Sequence, residues 1–238
     1  MVALWLLASL AGTARATMFD AVSDFDLGQN PSGPWSYLID SGSGPQLMPR
    51  TWPGSTPGLQ GWDNAGTQPY WSGILKNTSG TTLTYNGGNT VQPTDVLYLD
   101  PQYNRVIVRW TAPSAGTWSA TGFFETVDRN FHGGYIAPAC QIFENGTTVV
   151  ESVQLSTAPG YTDAFSKQFA FQAGDKLDFS VGCLGDFAFQ GTGLNVQIST
   201  VPEPSNLLAG GMAALLLAGV VRLRRKAGRP ETAHPVNG

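Results

Sequence analysis

The 238-residue sequence predicts an all-β protein whose central domain is an antiparallel β-sandwich of jelly-roll topology. Only 13% of the residues are charged, and 29 glycines and 16 prolines punctuate the chain. This composition favours short strands joined by tight turns over helices. Two apolar segments flank the domain, and they predict an N-terminal signal peptide and one C-terminal transmembrane helix.

The first apolar segment runs from Val2 to Leu10 and is followed by Ala14-Arg15-Ala16. This A-x-A pattern is typical of a secretory signal peptide that is cleaved after Ala16, although the usual basic residues before the apolar run are absent. We therefore predict a signal peptide at 1–16 and an exported domain at 17–200.

The first third of the exported domain is dense in helix breakers and holds four of the seven tryptophans. A tryptophan face can pack on a sugar ring while nearby polar groups bond the hydroxyls of the sugar. The segments Trp62-Asp63-Asn64 and Gln68-Pro69-Tyr70-Trp71 combine both elements. They make Trp62, Asp63, Tyr70 and Trp71 the candidate ligand-binding residues. The alternative is that these aromatic side chains only bury apolar area within the sandwich.

From Val96 onward, apolar and polar residues alternate with the period of β-strands. This alternation places Trp110 and Trp118 in the core. Asn145-Gly146 predicts a two-residue hairpin turn. We expect a second hairpin between the segments 167–171 and 177–183, and a final strand at 193–200.

Charge and residue counts exclude several classes of function. Residues 17–200 contain seven Lys or Arg and fifteen Asp or Glu, a net charge of −8, which excludes nucleic acid as a partner. The domain has one histidine, His132, and no G-x-S-x-G motif, so we predict no metal site and no catalytic residue. Carboxylate pairs for glycoside hydrolysis remain an alternative, drawn from Glu125, Asp128, Glu144 and Glu151.

No cofactor is predicted, but a structural Ca²⁺ ion is an alternative at two pairs of carboxylates. These are Asp24 with Asp26 and Asp175 with Asp178, and neither has the spacing of a dedicated Ca²⁺ loop. The only cysteines, Cys140 and Cys183, both lie in the exported domain. Export favours a disulfide between them, and two buried free thiols are the alternative.

The C-terminal region has three parts in a fixed order. Val201-Pro202-Glu203-Pro204-Ser205 precedes an uncharged apolar run at 206–221, which as a helix spans about 24 Å, enough for a thin bilayer. The run ends at a basic cluster of Arg222, Arg224, Arg225 and Lys226. This cluster predicts a cytoplasmic C-terminus and an N-terminal domain outside the membrane.

This arrangement resembles a PEP-CTERM sorting domain, also known as an ice-binding protein C-terminal motif. The resemblance covers 201–226 and leaves a cytoplasmic tail at 227–238. It implies that a membrane-embedded exosortase recognises the segment in the bacterial inner membrane and cuts near Pro202, Glu203 and Pro204. The domain would then be released to the cell surface or the extracellular matrix.

A second resemblance lies within the exported domain, in the segments 109–113, 116–118, 145–146 and 173–179. Their order is similar to landmarks of a jelly-roll domain of exported bacterial proteins, which broadly resembles carbohydrate-binding modules. The resemblance implies that the domain binds extracellular polysaccharide without catalysis. A secreted polysaccharide hydrolase and a purely structural matrix protein are the alternatives.

Overall fold

A computed structural model of the chain describes residues 16–52, 54, 56–66, 71–129, 138–182 and 190–201. In these ranges the secondary structure is sixteen strands and one 3₁₀ turn at Asn86–Gly88. The strands, in chain order, are β1 (Met18–Asp20), β2 (Trp35–Asp40), β3 (Gln46–Leu47), β4 (Arg50–Thr51), β5 (Leu59–Asp63), β6 (Gly73–Asn77), β7 (Leu83–Tyr85), β8 (Thr90–Gln92), β9 (Leu97–Asp100), β10 (Arg105–Thr111), β11 (Gly116–Thr126), β12 (Ala139–Glu144), β13 (Thr148–Gln154), β14 (Thr162–Phe171), β15 (Lys176–Gly182) and β16 (Thr192–Thr200).

Strands β9 to β16 pair as one long antiparallel ribbon that is folded onto itself. Strand β9 pairs with β16, β10 with β15, β11 with β14, and β12 with β13. The pairs β11–β16 and β12–β15 close the roll, giving the sheet orders β14-β11-β16-β9 and β13-β12-β15-β10. This is the strand order of a jelly roll, and it confirms the predicted all-β sandwich.

The strands before β9 extend both sheets of the roll. Strands β6, β5 and β4 continue the β9 edge, and β1 pairs with β16, so this first sheet has eight strands. Strands β2 and β3 continue the β10 edge and give a second sheet of six. The small sheet of β7 and β8 is separate from both.

The core lies between the two large sheets and is rich in aromatic side chains. Trp110 and Trp118 are 0% and 1% exposed, which confirms them as core residues, and their ring centroids are 4.9 Å apart. Trp35 is also buried in this cluster, and its Nε1 donates to Oδ2 of Asp24 at 3.2 Å. Burying a large apolar side chain contributes about 1.5 to 3 kcal/mol, so these residues hold the two sheets together.

One predicted hairpin is confirmed and the other is wrong. Strands β12 and β13 pair around Asn145 and Gly146, whose φ angles of 52° and 74° are the left-handed values that this turn needs. Strands β14 and β15 follow each other closely but do not pair, because β14 lies in the first sheet and β15 in the second. A tight turn with flanking alternation therefore does not distinguish a hairpin from a crossing between sheets.

Several predicted segments lie outside the described residues. These are 1–15 of the signal peptide and 202–238, with the sorting motif, the apolar run and the basic cluster. Tyr70, His132 and Cys183 also lie outside. Among the residues that the structure does describe, no helix has the length and apolar character needed to cross a bilayer.

Candidate functional site

The first sheet carries a second hydrophobic cluster on its outer face, away from the core. Along β9, Leu97 and Leu99 belong to the core cluster, so Tyr98 between them faces outward. The sheet of β7 and β8 packs over this outer face through Leu83 and Tyr85. The backbone N–H of Val91 in β8 donates to the carbonyl of Val127 at 3.0 Å and anchors this cover.

A cavity of about 480 Å³ lies between this cover and the outer face of the first sheet, and we call it the outer-face cleft. It is lined by Trp52, Thr56, Leu59, Gly66, Trp71, Leu75, Tyr85, Asn86, Tyr98, Asp100 and Gln102. The volume falls within the range of roughly 300 to 1,000 Å³ that is usual for small-molecule sites. The cleft therefore combines four aromatic rings with a small number of polar groups.

The aromatic side chains form two pairs in the cleft wall. The rings of Trp52 and Trp71 are 6.4 Å apart and tilted by 55°, and those of Tyr85 and Tyr98 are 6.1 Å apart at 75°. Trp52, Trp71 and Tyr85 are half-buried, so part of each ring is accessible. Gly73 makes room for Trp71, because a Cβ at Gly73 would lie 2.7 Å from Cζ2 of that ring.

Asp63 supports the cleft wall, and its carboxylate is hydrogen-bonded within the protein, so its contact with a ligand stays a prediction. The side chain is fully buried, and Nε and Nη2 of Arg50 donate to its two oxygens at 2.6 and 3.1 Å. The N–H of Ala65 and Nε1 of Trp71 also donate to it, at 2.8 and 3.2 Å. Its acceptor positions are thus occupied by the protein, and they fix the Trp71 ring.

Trp62 belongs to the sandwich core, which agrees with the alternative that it packs, and its contact with a ligand stays a prediction. The side chain is only 7% exposed, and its Nε1 donates to the carbonyl of Asp26 at 2.9 Å. Neighbouring residues of a strand point to opposite faces, so Trp62 and Asp63 of β5 cannot contact one ligand together. Of the predicted candidates that are described, Trp71 alone lines the cleft.

Asp100 is buried at the wall of the cleft and bonded to two other lining residues. Its Oδ1 accepts from Nε2 of Gln102 at 3.0 Å, and its Oδ2 accepts from the hydroxyl of Tyr98 at 3.2 Å. Burial, and then repulsion from Asp128, raise the pKa of Asp100 to about 7. The carboxyl group is therefore partly protonated near neutral pH.

Asp128 lies behind the cleft and completes this acidic pair. It accepts from the hydroxyl of Thr90 at 2.7 Å and from the N–H of Gly191 at 2.8 Å. Burial raises its pKa to about 6. Within the described part of the chain, no Lys or Arg forms an ion pair with Asp100 or Asp128.

Most of the residues that line the cleft are not among the candidates predicted from the sequence. Tyr85, Tyr98, Asp100 and Gln102 are absent from those candidates, because none lies beside the clustered tryptophans. A usable signal was the alternation Leu97-Tyr98-Leu99-Asp100, which places Tyr98 and Asp100 together on the face opposite the leucines. The covering hairpin of β7 and β8 had no equivalent signal in the sequence.

The carboxylates considered for hydrolysis do not line the cleft, and those considered for calcium accept hydrogen bonds from protein groups. None of Glu125, Asp128, Glu144 and Glu151 lines the cleft, and Glu151 forms an ion pair with Lys167 at 2.7 Å.

Both oxygens of the Asp178 carboxylate accept from Arg109, from Nε at 2.6 Å and from Nη2 at 2.8 Å, so this carboxylate is already paired with a cation. Asp24 accepts from Trp35, as above, and Asp26 accepts from the N–H of Gly28 at 2.9 Å. Across the described residues, no group of three or more His, Cys, Asp or Glu side chains is placed to hold a metal ion.

Cys140 is buried in the core, and burial raises the pKa of its thiol. Its predicted partner, Cys183, lies outside the described residues, so the disulfide between them stays a prediction.

Comparisons with known proteins leave the chain without an assigned family. No protein-family model matches it, and no curated protein does. Solved structures that share some of its architecture include the CBM51 module of Clostridium perfringens GH95 in complex with methyl-galactose, with 10% identity, a TM-score of 0.40, and coverage of 77% of this chain and 100% of that chain. A family 35 carbohydrate-binding module from Clostridium thermocellum has 10% identity, a TM-score of 0.31, and coverage of 78% and 98%. Rabbit GITRL has 9% identity, a TM-score of 0.29, and coverage of 52% and 80%. At such identities and TM-scores the fold assignment rests on the strand order itself.

Proposed function

We propose that this is an exported surface or matrix protein whose jelly-roll domain binds extracellular polysaccharide in the outer-face cleft without catalysis. The observation that carries the proposal is the lining of the cleft, with half-buried aromatic rings beside buried hydrogen-bonding groups. A sugar ring presents C–H groups to a flat aromatic face and hydroxyls to polar side chains. Trp52 and Trp71 supply the faces, and Asn86, Asp100 and Gln102 supply the polar groups.

The position of the acidic pair favours binding over catalysis. Glycoside hydrolysis uses two carboxyl groups that flank the scissile bond, and of this pair only Asp100 lines the cleft. The second candidate function is a polysaccharide hydrolase, because a carboxyl with a pKa of about 7 at a cleft wall suits a general acid.

Export and sorting form the second part of the proposal. The A-x-A site after the first apolar run and the Pro-Glu-Pro segment before the basic cluster support an exosortase-processed precursor with its C-terminus in the cytoplasm. Replacing Pro202, Glu203 and Pro204 with alanine should leave an uncut, membrane-bound chain in the producing cell. Release of a fragment of unchanged size from this variant would refute the sorting step.

The test of binding uses the full chain in a mild detergent and exopolysaccharide extracted from the producing cell. Tryptophan fluorescence and new reducing ends are followed in one titration. We expect the fluorescence to change without reducing ends, the change to be lost in Trp52→Ala, and the change to persist in Tyr161→Ala. Tyr161 is a suitable control because it is 40% exposed and lies outside the cleft. New reducing ends would establish the hydrolase instead, and no signal in either channel would refute both.

A further inference from the structure

The residues that line the outer-face cleft favour one class of sugar over others, and this inference rests on the proposed function. Gln102 is only 8% exposed and lines the cleft. Its Nε2 donates to Asp100, and its Oε1 is buried and has no hydrogen-bond partner among the described residues. A buried polar atom without a partner costs free energy, so a ligand that donates a hydrogen bond to Oε1 of Gln102 would lower that cost.

The ionisable groups at and behind the cleft wall, Asp100 and Asp128, are both acidic. Asp100 is in the wall, and Asp128 is close enough to raise the pKa of Asp100 by repulsion. The described residues place no Lys or Arg in an ion pair with either carboxylate. A buried carboxylate without a cation is costly, and a ligand that carries a positive charge would remove that cost.

The aromatic walls favour the same kind of ligand. The faces of Trp and Tyr rings are electron-rich and attract an ammonium group within about 6 Å of the ring centroid. Four such rings line this one cavity: Trp52, Trp71, Tyr85 and Tyr98. Each tyrosine hydroxyl is held in place, that of Tyr85 by donation to Oε1 of Gln92 at 3.0 Å.

We propose that the outer-face cleft selects a positively charged amino sugar, whose ammonium group lies against the aromatic walls and donates to Oε1 of Gln102 and to Asp100. A neutral sugar fits the same rings but leaves the acidic pair uncompensated. A uronic acid adds a further negative charge beside Asp100 and is disfavoured. The ligand class is therefore a polysaccharide with free amino groups.

The causes of the raised pKa of Asp100 predict how this pKa responds to a bound ammonium group. Its causes are burial and a neighbouring carboxylate, and both oppose the charged form. An ammonium group beside Asp100 would favour the charged form and lower this pKa. Binding of an amino sugar near pH 7 should therefore release a proton from the protein.

The experiment compares oligosaccharides of D-glucosamine with the same oligosaccharides after full N-acetylation. This reaction removes the positive charge of each amino group and adds an acetyl group. Titration calorimetry on the full chain in mild detergent at about pH 6.5, below the usual pKa of an α-amino group, gives both affinities. We expect the charged form to bind about tenfold more tightly. The ratio of the two affinities is the measured quantity.

Asp100→Asn and Gln102→Met should each bring the ratio of the two affinities close to one. The first variant removes the charge of Asp100, and the second removes the acceptor Oε1 of Gln102. Asp95→Asn is the matched control, since it removes an equal charge from an exposed position outside the cleft. If Asp95→Asn lowers the ratio as much as Asp100→Asn, attraction to the acidic domain as a whole explains the preference and the proposal fails.

The remaining outcomes separate this inference from the proposed function. Equal or tighter binding of the acetylated form overturns the preference for amino sugars and leaves polysaccharide binding intact. Failure of both oligosaccharides, while the extracted exopolysaccharide still binds, also overturns the inference alone. Failure of all three ligands overturns the proposed function with it.

Discussion

The two faces of the first sheet use aromatic side chains in opposite ways. On the inner face, Trp62 and Trp118 are buried against the second sheet as part of a closed apolar core. On the outer face, Trp71 and Tyr85 are half-buried around a cavity. The comparison shows that the face of the sheet, and not the type of residue, separates a structural aromatic side chain from one that a ligand can reach.

The same contrast holds for charged groups. The inner face buries hydrophobic side chains, whereas the outer face buries Asp63 and Asp100 among hydrogen-bond donors. An outer face that is covered by a short hairpin can accommodate polar groups that a sandwich core excludes. Function is therefore expected on the outer face.

The largest effect is expected at Trp62. Trp62→Ala should lower the free energy of unfolding by about 3 to 5 kcal/mol, because it opens a cavity between the sheets. Trp71→Ala should cost clearly less, since that ring is half-buried. Urea unfolding followed by circular dichroism measures both. If Trp62→Ala keeps full stability but no longer binds polysaccharide, Trp62 contacts the ligand and is not a core residue.

The next effect is a dependence of stability on pH that arises at the acidic pair. The pKa values of Asp100 and Asp128, about 7 and about 6, lie above the usual aspartate pKa of 3.8. The folded state keeps protons that the unfolded state releases. The free energy of unfolding should therefore fall as pH rises from about 4 to about 7, by on the order of a few kcal/mol, and then level off.

Asp100→Asn tests whether Asp100 causes this dependence of stability on pH, because the variant removes one ionisable group and its repulsion of Asp128. The stability of the variant relative to the wild type should be higher at about pH 8 than at about pH 5. Urea unfolding at the two pH values gives the difference. A constant difference would mean that Asp100 is ionised throughout.

A smaller effect is expected at Trp71 when binding is measured. Trp71→Ala should weaken the affinity for the extracted polysaccharide about tenfold, equal to about 1.4 kcal/mol, because a ring face is lost. Trp71→Phe keeps a ring and should weaken it less. Equal losses in both variants would show that the bond from Nε1 of Trp71 to Asp63, and not the ring face, sustains the site.

The smallest effect is expected at Gly73, beneath Trp71. The added Cβ of Gly73→Ala would lie 2.7 Å from the indole, so the ring must shift, at a cost of about 1 kcal/mol in stability and with weaker binding. Gly182→Ala is the control in the second sheet, where the nearest atom to the added Cβ is 4.0 Å away. Thermal unfolding and the fluorescence titration check both variants. Equal stability and equal binding of the two variants would show that the close approach of Gly73 does not hold the Trp71 ring in place.

Part of the fold could be predicted because it is local. Alternation along β10 and β11 placed Trp110 and Trp118 in the core, and Asn145-Gly146 specified a hairpin through the backbone conformation that this pair favours. The period of side chains along a strand and the preferences of a turn depend on residues close in sequence. The all-β class and the two strands of that hairpin followed from these preferences alone.

The pairing of strands and the composition of the cleft were decided only by the tertiary structure. Whether β14 turns back onto β15 or crosses to the other sheet depends on β11, which lies more than thirty residues earlier. The cleft joins Trp52 and Trp71 to Tyr98 and Asp100 because β5, β6 and β9 are neighbours in the first sheet. Sequence determined which residues share a face of each strand. The long-range pairing of strands determined which faces meet, because that choice depends on the burial of the whole chain.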